Sequence, residues 1–281
     1  MGAMLSAMSY DNLIYQPPKA CNYKKKDVQV TYTSHNERIC LKVFQPFVWT
    51  PNAAAKSGAQ LDAMTQPQPM IIFSHGNADD IGTAGPYCQW LADSLGLQVL
   101  TYDYVGYGLS EEKETSEDSM YRAIAAVHTY ATSRLGASKI ILVGKSLGSV
   151  PTVFVASDKK FQTIGTILIS GLASGARVLL KPEYVPKIMM PKLDKLFAPN
   201  IMRIANVKHK VLFIHGKQDK TVPFRNSEEL CCKLSADAYY PPLWLDADHN
   251  DIEDKFASLF IANISTFIES VNQNTYNAYT V

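Results

Sequence analysis

Residues 139–150 read Lys-Ile-Ile-Leu-Val-Gly-Lys-Ser-Leu-Gly-Ser-Val, and this stretch decides the fold. The apolar run at 140–143 is typical of a strand buried on both faces of a parallel sheet. The residues at 144–148 fit the pattern G-x-S-x-G, and a helix can begin at 150–156. Because the motif requires a strand, a sharp turn and a helix, this context predicts that Ser146 presents its hydroxyl above the edge of a sheet. The alternative interpretation is a glycine-rich turn with a surface serine.

The same alternation of short apolar runs and longer amphipathic stretches continues through the chain from residue 70 onward. The predicted strands are 70–74, 98–103, 139–144, 163–169, 210–215 and 240–246. The predicted helices are 86–95, 116–135, 147–157, 223–234 and 251–270. Such alternation indicates a doubly wound sheet, in which ligands bind beyond the carboxyl ends of the strands.

An antiparallel hairpin is predicted before the parallel part of the sheet. Residues 28–34 alternate apolar and polar side chains, 39–43 continue the same period of two, and 35–38 supply a turn between them. The predicted fold class is therefore α/β, with a mostly parallel central sheet, an N-terminal antiparallel hairpin and helices on both faces.

A single domain is expected over residues 28–270, between an N-terminal tail, 1–27, and a C-terminal tail, 271–281. Within the domain, residues 51–68 are rich in Ala, Gln and Pro and contain little to bury, which predicts a mobile surface insertion. The stretch 171–203 has room for a loop and a short helix, which predicts a minimal lid over the sheet edge.

The composition argues against several classes of protein. The chain of 281 residues has a net charge of +1 and no long basic patch, so nucleic acid is not expected as a partner. No apolar stretch approaches the ~20 residues of a membrane span, and the N-terminus lacks the pattern of a secretory signal. The odd number of cysteines, without metal-ligand spacing, favours a reduced, cytoplasmic setting. They are Cys21, Cys40, Cys88, Cys231 and Cys232.

The N-terminus carries a candidate lipidation site. Residues 1–6 fit M-G-x-x-x-[ST], which predicts myristoylation of Gly2, although many chains begin with Met-Gly for other reasons. One myristoyl chain binds a membrane only weakly, so a second signal is needed. A palmitoyl group on Cys21 or the lysines at 24–26 would supply it, although three lysines before a strand also suit a solvated edge. We therefore expect a cytoplasmic protein that, when acylated, is peripheral on the cytosolic face of membranes.

Three histidines follow Ser146 and are candidates for its base. A serine hydroxyl is weakly nucleophilic at neutral pH, so it needs a base and an acid that orients the base. On this type of fold the acid and then the histidine follow the serine. His209 lies at a strand start, which is the wrong end of the sheet, and His215 is expected to close its strand. His249 follows the last predicted strand, where a base should project.

Asp219 is the candidate acid. It lies on the loop after the preceding predicted strand, and this loop should neighbour the one that holds His249. Taken alone, Asp219 also suits a turn, and Asp248 or Asp251 would suit as a local salt partner of His249. Considered together, Ser146, Asp219 and His249 are predicted to form a catalytic triad.

Two backbone N–H groups are predicted to stabilise the oxyanion of a tetrahedral intermediate. One belongs to Leu147, directly after the serine, and the other to Asn77, on the loop after the first predicted parallel strand. Gly76 lets the backbone of that loop turn toward the site. His75 precedes the serine and is expected to be structural. Asp103, after the next strand, is expected to hold neighbouring loops rather than to act as a carboxylate ligand.

Four stretches of the chain resemble the α/β-hydrolase superfamily, and more narrowly the alpha/beta hydrolase domain-containing protein 17 subfamily with its fungal and plant relatives. They lie at 73–78, 102–108, 144–152 and 248–253. The resemblance covers about residues 28–270 and implies a serine hydrolase that removes palmitoyl groups from membrane-attached proteins, with the triad named above. Relatives of the subfamily are often filed as esterases or serine peptidases. The animal members carry an N-terminal cluster of palmitoylated cysteines, whereas this chain has Cys21 alone in residues 1–27.

The lid region, residues 171–203, bears on the substrate. A thin cover leaves an open site, which suits an acyl chain attached to something bulky. Its apolar side chains are expected either to line an acyl groove or to cover the sheet edge, and its lysines to face either an anionic membrane or solvent. The apolar residues are Val178, Leu179, Leu180, Ile188, Met189, Met190, Leu193, Leu196 and Phe197, and the lysines are Lys181, Lys187, Lys192 and Lys195.

These features predict hydrolysis through an acyl-Ser146 intermediate, with no metal or cofactor. The preferred substrate is a long-chain acyl thioester on a protein, such as a palmitoyl-protein. The alternative is a carboxylic ester of a lipid or small molecule, and a serine peptidase or a non-catalytic binding protein of the same fold are further alternatives.

Overall fold

A computed structural model describes residues 14–47, 67–180 and 184–277 of the chain. In these ranges eight strands form one sheet: β1 Gln29–Tyr32, β2 Arg38–Phe44, β3 Met70–Ser74, β4 Val99–Tyr102, β5 Ile140–Lys145, β6 Gly165–Ile169, β7 Lys210–Gly216 and β8 Leu243–Leu245. Their order is β1-β2-β4-β3-β5-β6-β7-β8. The pairs β1–β2 and β2–β4 are antiparallel, and the pairs from β4–β3 to β7–β8 are parallel. The predicted mostly parallel sheet with an N-terminal antiparallel hairpin is confirmed.

Helices cover both faces of this sheet, as predicted. The α-helices of the described residues are α1 Ile81–Leu95, α2 Glu117–Ser133, α3 Ser149–Ala156, α4 Gly175–Leu179, α5 Met190–Leu193, α6 Asn200–Arg203, α7 Arg225–Cys231 and α8 Ile252–Asn277. Successive strand residues point to opposite faces, so each face carries its own core. Ile72 shares one core with Val127 of α2, whereas Ile71 shares the other with Leu91 of α1 and Phe260 of α8. In the described ranges, every helix is too short or too polar to cross a bilayer.

The first helix begins earlier than predicted, at Ile81 instead of residue 86. Asp80 caps it, because its carboxylate accepts a hydrogen bond from the backbone N–H of Thr83 at 2.9 Å while the Thr83 hydroxyl receives the N–H of Asp80. This reciprocal cap was overlooked because Pro86 resembles a helix start. Pro86 instead lies inside the helix.

Other boundaries also differ from the prediction. The helix after Ser146 begins at Ser149, because 146–148 form a 3₁₀ turn. The last strand is short, since Pro241 and Pro242 before it have no N–H to donate to a neighbouring strand. The final helix runs to Asn277, so much of the predicted C-terminal tail, 271–281, is helical. The predicted insertion, 51–68, lies almost entirely outside the described residues.

The N-terminal tail, predicted over residues 1–27, is in part packed on the domain. Tyr15 is buried in the same core as Ile72, and Tyr23 donates a hydrogen bond to Asp103. The lid region, residues 171–203, contains the helices α4, α5 and α6, which have five, four and four residues. The lid is therefore minimal, as predicted.

Candidate active site

The turn after β5 holds Ser146 in the left-handed region, with φ of 53°. Such a backbone is uncommon for a residue with a side chain and is characteristic of functional turns. At the glycines that flank Ser146, neighbouring atoms leave no room for a side chain. A Cβ atom on Gly148 would lie 2.0 Å from the carbonyl oxygen of Ser74, and one on Gly144 would lie 2.6 Å from the Oγ1 of Thr152. The glycines of the motif thus let the turn sit directly against β3.

Ser146, His249 and Asp219 lie together at the carboxyl edge of the sheet. His249 follows β8 and is 8% exposed, and its Nε2 lies 3.2 Å from the Oγ of Ser146. Its Nδ1 lies 2.6 Å from the Oδ2 of Asp219, which follows β7. Because β7 and β8 pair in parallel, their loops leave the sheet side by side. The structure therefore places the three predicted residues in one hydrogen-bonded chain.

The environment of Asp219 favours its charged form. Burial alone would raise the pKa of this carboxyl, but hydrogen bonds from His215, His249 and the backbone N–H of Val222 hold its pKa well below the ordinary value. The ionised carboxylate accepts a hydrogen bond from the Nδ1–H of His249. In that tautomer the Nε2 of His249 has a free lone pair, which can accept the hydrogen of the Ser146 hydroxyl.

His215 is a contact of the site that the sequence interpretation missed. Its Nε2 lies 3.1 Å from the Oδ2 of Asp219 and 2.9 Å from the carbonyl oxygen of Val222, and its Nδ1 lies 2.6 Å from the Oγ of Ser227. The side chain is fully buried and, besides ending β7, it contacts the carboxylate that faces His249. The spacing of His215 and Asp219 on one short loop was a signal for this contact.

The two acidic neighbours of His249 do not contact its ring. The Oδ1 of Asp248 accepts the backbone N–H groups of His249, at 2.8 Å, and Lys220, at 3.0 Å. Asp251 accepts the backbone N–H of Asp248 at 2.7 Å. Asp248 and Asp251 thus fix the backbone of the loop, and the imidazole is held by Asp219.

The two predicted oxyanion donors lie on adjacent loops. Leu147 follows Ser146 in the 3₁₀ turn after β5, and Asn77 lies on the loop after β3. Strands β3 and β5 pair in parallel with Ser74 opposite Gly144, so both loops leave the sheet at the same level. Among the described residues, no hydrogen-bond acceptor is seated on the backbone N–H of Asn77. This arrangement fits a role for that N–H toward a ligand.

His75 and Asp103 form a separate buried pair behind this loop. The Nε2 of His75 lies 3.3 Å from the Oδ1 of Asp103, which also accepts the backbone N–H of Ile81 at 2.8 Å. Burial lowers the pKa of His75, but the hydrogen bond and the charge of Asp103 outweigh it and leave the pKa raised. The Oδ2 of Asp103 accepts the hydroxyl of Tyr23. Both residues bind neighbouring segments together, in agreement with the structural role predicted for them.

The lid region is pinned by one cluster of charges. Arg177 makes two hydrogen bonds to Asp194, each of 2.8 Å, and Ser174 donates to the same carboxylate at 2.6 Å. Met190 is buried, whereas Ile188 is 83% and Leu196 77% exposed. The apolar residues of the lid are thus divided between the core and the surface.

The structure describes one of the two predicted lipidation sites, Cys21. Gly2 lies outside the described residues. Cys21 is half-buried, its thiol donates to the carbonyl oxygen of Tyr23 at 3.3 Å, and burial raises its pKa.

The sequence of the chain is similar to those of known hydrolases. Residues 65–201 match the family model described as serine aminopeptidase S33. The chain is 36% identical over 190 residues to mouse alpha/beta hydrolase domain-containing protein 17C, an alignment that covers 65% of this chain and 55% of the relative. For the human 17B protein the identity is 33%, with 65% and 61% covered. The chain is thus similar in sequence to alpha/beta hydrolase domain-containing proteins, and its fold is of the α/β-hydrolase type. The chain spans about half the length of the curated 17C relatives that it matches.

Two solved structures share the fold of this chain at low sequence identity. An esterase of Pyrococcus furiosus, Pf2001, aligns with a TM-score of 0.66 and 16% identity, over 91% of this chain and 98% of that one. Mouse alpha/beta hydrolase domain-containing protein 10 aligns with a TM-score of 0.60 and 18% identity, over 87% and 99%. At these identities the likeness concerns the fold.

Proposed function

We propose that this protein is a serine hydrolase of the α/β-hydrolase superfamily, which transfers an acyl group to water through an acyl-Ser146 intermediate. The observation that carries the proposal is the continuous chain of contacts from the Ser146 hydroxyl through His249 to the ionised Asp219. A serine on a strained turn, a base within reach and an acid that orients the base are what nucleophilic catalysis requires.

The two half-reactions follow from this geometry. The Nε2 of His249 takes the hydroxyl proton while the Oγ of Ser146 bonds to the carbonyl carbon, and the oxyanion that forms is held by the N–H groups of Leu147 and Asn77. Asp219 stabilises the imidazolium. His249 then returns the proton to the departing sulfur or oxygen, which leaves an acyl-serine. A water molecule, deprotonated by His249, attacks that ester and releases the carboxylic acid and free Ser146.

The substrate that we propose is a long-chain acyl thioester on a protein. The resemblance of the sequence motifs to the alpha/beta hydrolase domain-containing protein 17 subfamily supports this choice, and so does the minimal lid, which leaves room for a bulky acyl carrier. The same catalytic residues would also cleave an oxygen ester, so the leaving group has to be decided by experiment.

The first experiment compares a palmitoyl thioester with the matched palmitoyl oxygen ester, using purified protein and Ser146→Ala as the blank. After correction for the hydroxide-catalysed rates, we expect kcat/KM for the thioester to be at least ~10-fold higher, equivalent to about 1.4 kcal/mol of transition-state selectivity. Equal or better turnover of the oxygen ester would indicate a lipase or esterase instead. Turnover of aminoacyl amides with neither ester cleaved would indicate a peptidase.

We further propose that one surface of the lid contacts an anionic membrane. This lid face is apolar and basic: Tyr184, Lys187, Ile188, Met189, Lys192, Lys195 and Leu196, of which each is exposed. In the described residues 184–196 the one carboxylate is Asp194, which is buried and paired with Arg177. Within residues 184–196 the lid face therefore combines exposed apolar side chains with positive charge, the combination that binds anionic bilayers.

Sedimentation with vesicles tests this surface. We expect the protein to bind vesicles that contain phosphatidylserine more tightly than neutral vesicles, and added salt to weaken the binding. The double variant Ile188→Ser, Leu196→Ser should lower the partition coefficient by roughly 10-fold, because two large side chains lose their contact with lipid. Leu259→Ser, at an exposed position on α8, is the matched control. Equal losses in both variants would show that the lid face is not the contact.

A further inference from the structure

The N-terminal segment crosses the loop that carries Asn77. Residues 14–16, here called the strap, run past this loop although the sequence interpretation assigned them to a tail. Tyr15 anchors the strap: it is 5% exposed, belongs to the larger core, and packs edge-to-face on Phe197 of the lid with ring centroids 5.8 Å apart. The strap is therefore a fixed part of the structure next to the site.

Both ends of the Asn77 side-chain amide are bound by this segment. The backbone N–H of Gln16 donates to the Oδ1 of Asn77 at 2.9 Å, and the Nδ2 of Asn77 donates to the carbonyl oxygen of Ile14 at 2.7 Å. The hydroxyl of Tyr107 donates a further hydrogen bond to the Oδ1 at 2.7 Å. A short side chain held at its acceptor and its donor leaves its own backbone little freedom.

The loop restrains the Gly76–Asn77 peptide group through its carbonyl oxygen. The turn that contains Asn77 is closed by a long hydrogen bond of 3.4 Å, from the N–H of Asp79 to the carbonyl oxygen of Gly76. The same carbonyl oxygen lies 2.8 Å from the Nδ1 of His75, which holds the Gly76–Asn77 peptide group on its carbonyl side. The bonds from the strap and from Tyr107 act on the other side of this peptide group, through the Asn77 side chain, and thereby limit where the Asn77 N–H points.

The strap is also prepared to make these bonds. Gln16 precedes Pro17 and Pro18, and a residue before proline is restricted to extended backbone. The buried ring of Tyr15 fixes the neighbouring position. The N–H of Gln16 is therefore directed by its neighbours in the chain, while its own side chain is exposed.

We propose that the strap positions the backbone N–H of Asn77 as an oxyanion donor, so that Gln16 and Ile14 act on the reaction through Asn77. This inference rests on the proposed function. An oxyanion donor must lie within about 2.7–3.1 Å of the developing charge, and its loss costs about 10²–10³ in rate. A donor displaced by a fraction of an ångström should lose part of that factor.

The test uses one position and two substitutions in the full-length protein. Gln16→Pro removes the N–H that donates to Asn77, whereas Gln16→Ala keeps that N–H and removes only the exposed side chain. We expect Gln16→Pro to lower kcat by about 10-fold with KM little changed, and to weaken binding of a boronic acid that mimics the tetrahedral intermediate by the same factor. Gln16→Ala should match the wild type in both measurements.

Tyr107→Phe is the second variant. It removes a different bond to the same Oδ1, so we expect a smaller loss of kcat with the same proportional loss of boronic-acid affinity, whether or not Gln16→Pro folds. A role in stability alone would lower the melting temperature without this proportional change. If Gln16→Pro leaves kcat and boronic-acid affinity unchanged, the strap does not position the donor. If Tyr107→Phe leaves both unchanged, the bound side-chain amide does not orient the Asn77 N–H, and the proposal fails at that step. Ser146→Ala distinguishes failure of the strap proposal from failure of the proposed function, because turnover retained in that variant would overturn the proposed function.

Discussion

Ser146→Ala is expected to lower kcat by about 10⁵–10⁶, the scale at which removal of a serine nucleophile acts in enzymes with this type of triad. The reason is chemical: without the Oγ no acyl intermediate forms, and His249 has no hydroxyl to deprotonate. The fold should survive, because alanine at a φ of 53° is about as strained as serine and Ser146 is only half-buried. The measurement is steady-state turnover of a palmitoyl thioester, together with covalent labelling by a fluorophosphonate.

Ser157→Ala is the matched control for this variant. Ser157 ends α3 and its hydroxyl donates to the carbonyl oxygen of Phe154 at 3.0 Å, so it shares the helix that follows the site but not the site. We expect full turnover and full labelling in this variant. Labelling that persists in Ser146→Ala would show that another residue reacts with the probe, and substantial remaining turnover would exclude the acyl-Ser146 mechanism.

The centre of the sheet could be predicted from sequence because its strands are buried on both faces. Such strands are continuous apolar runs, so β3 and β5 were found to within one residue of their observed ends. The edges were harder, since local chemistry and not hydrophobicity decides them. The Asp80 cap moved the start of α1, and Pro241 and Pro242 shortened β8. These signals are present in the sequence but weaker than the pattern of apolar residues.

The candidate site was predictable for a topological reason. Once the strands are parallel, every loop after a strand lies at one edge, and the order of serine, acid and histidine selects Asp219 and His249 from the polar residues there. Their contact across 30 residues of chain follows from the pairing of β7 with β8. His215 was assigned only to the strand, because which face a strand-end side chain occupies depends on neighbours that the sequence does not reveal.

The strap was beyond sequence reasoning for a different reason. Its contact with the Asn77 side chain joins residues 61 positions apart, and the strap contributes only backbone atoms, which carry no residue-specific signal. The stretch 14–18 also lacks periodicity, so it resembles an ordinary tail. The strap is identified by its tertiary contacts: the ring of Tyr15 is buried in the core, and the side-chain amide of Asn77 is bound at both ends. The site is thus assembled from the expected loops after the strands and from one segment, the strap, which lies before the predicted domain boundary at residue 28.

Asp219→Asn should lower kcat by about 10⁴, because an amide in place of the carboxylate selects the wrong tautomer of His249. The backbone N–H groups of Thr221 and Val222 donate to the Oδ1 of Asp219, at 2.9 and 2.8 Å, so the amide oxygen of an asparagine must occupy that position. Its NH₂ group then faces the Nδ1 of His249 and donates to it. The proton of the imidazole then sits on Nε2, which faces the hydroxyl of Ser146. A protonated Nε2 has no lone pair and cannot accept the proton of that hydroxyl.

Asp248→Asn separates this electrostatic role from a general effect of removing charge. Asp248 adjoins His249 in sequence and accepts two backbone N–H groups through its Oδ1, which an asparagine can also do. We therefore expect kcat near that of the wild type for Asp248→Asn, and similar melting temperatures for the two variants. An equal loss in both would mean that net charge near the loop, and not the tautomer of His249, controls the rate. A large loss confined to Asp248→Asn would assign the acid to the neighbouring residue, in conflict with the 2.6 Å contact between Asp219 and the imidazole.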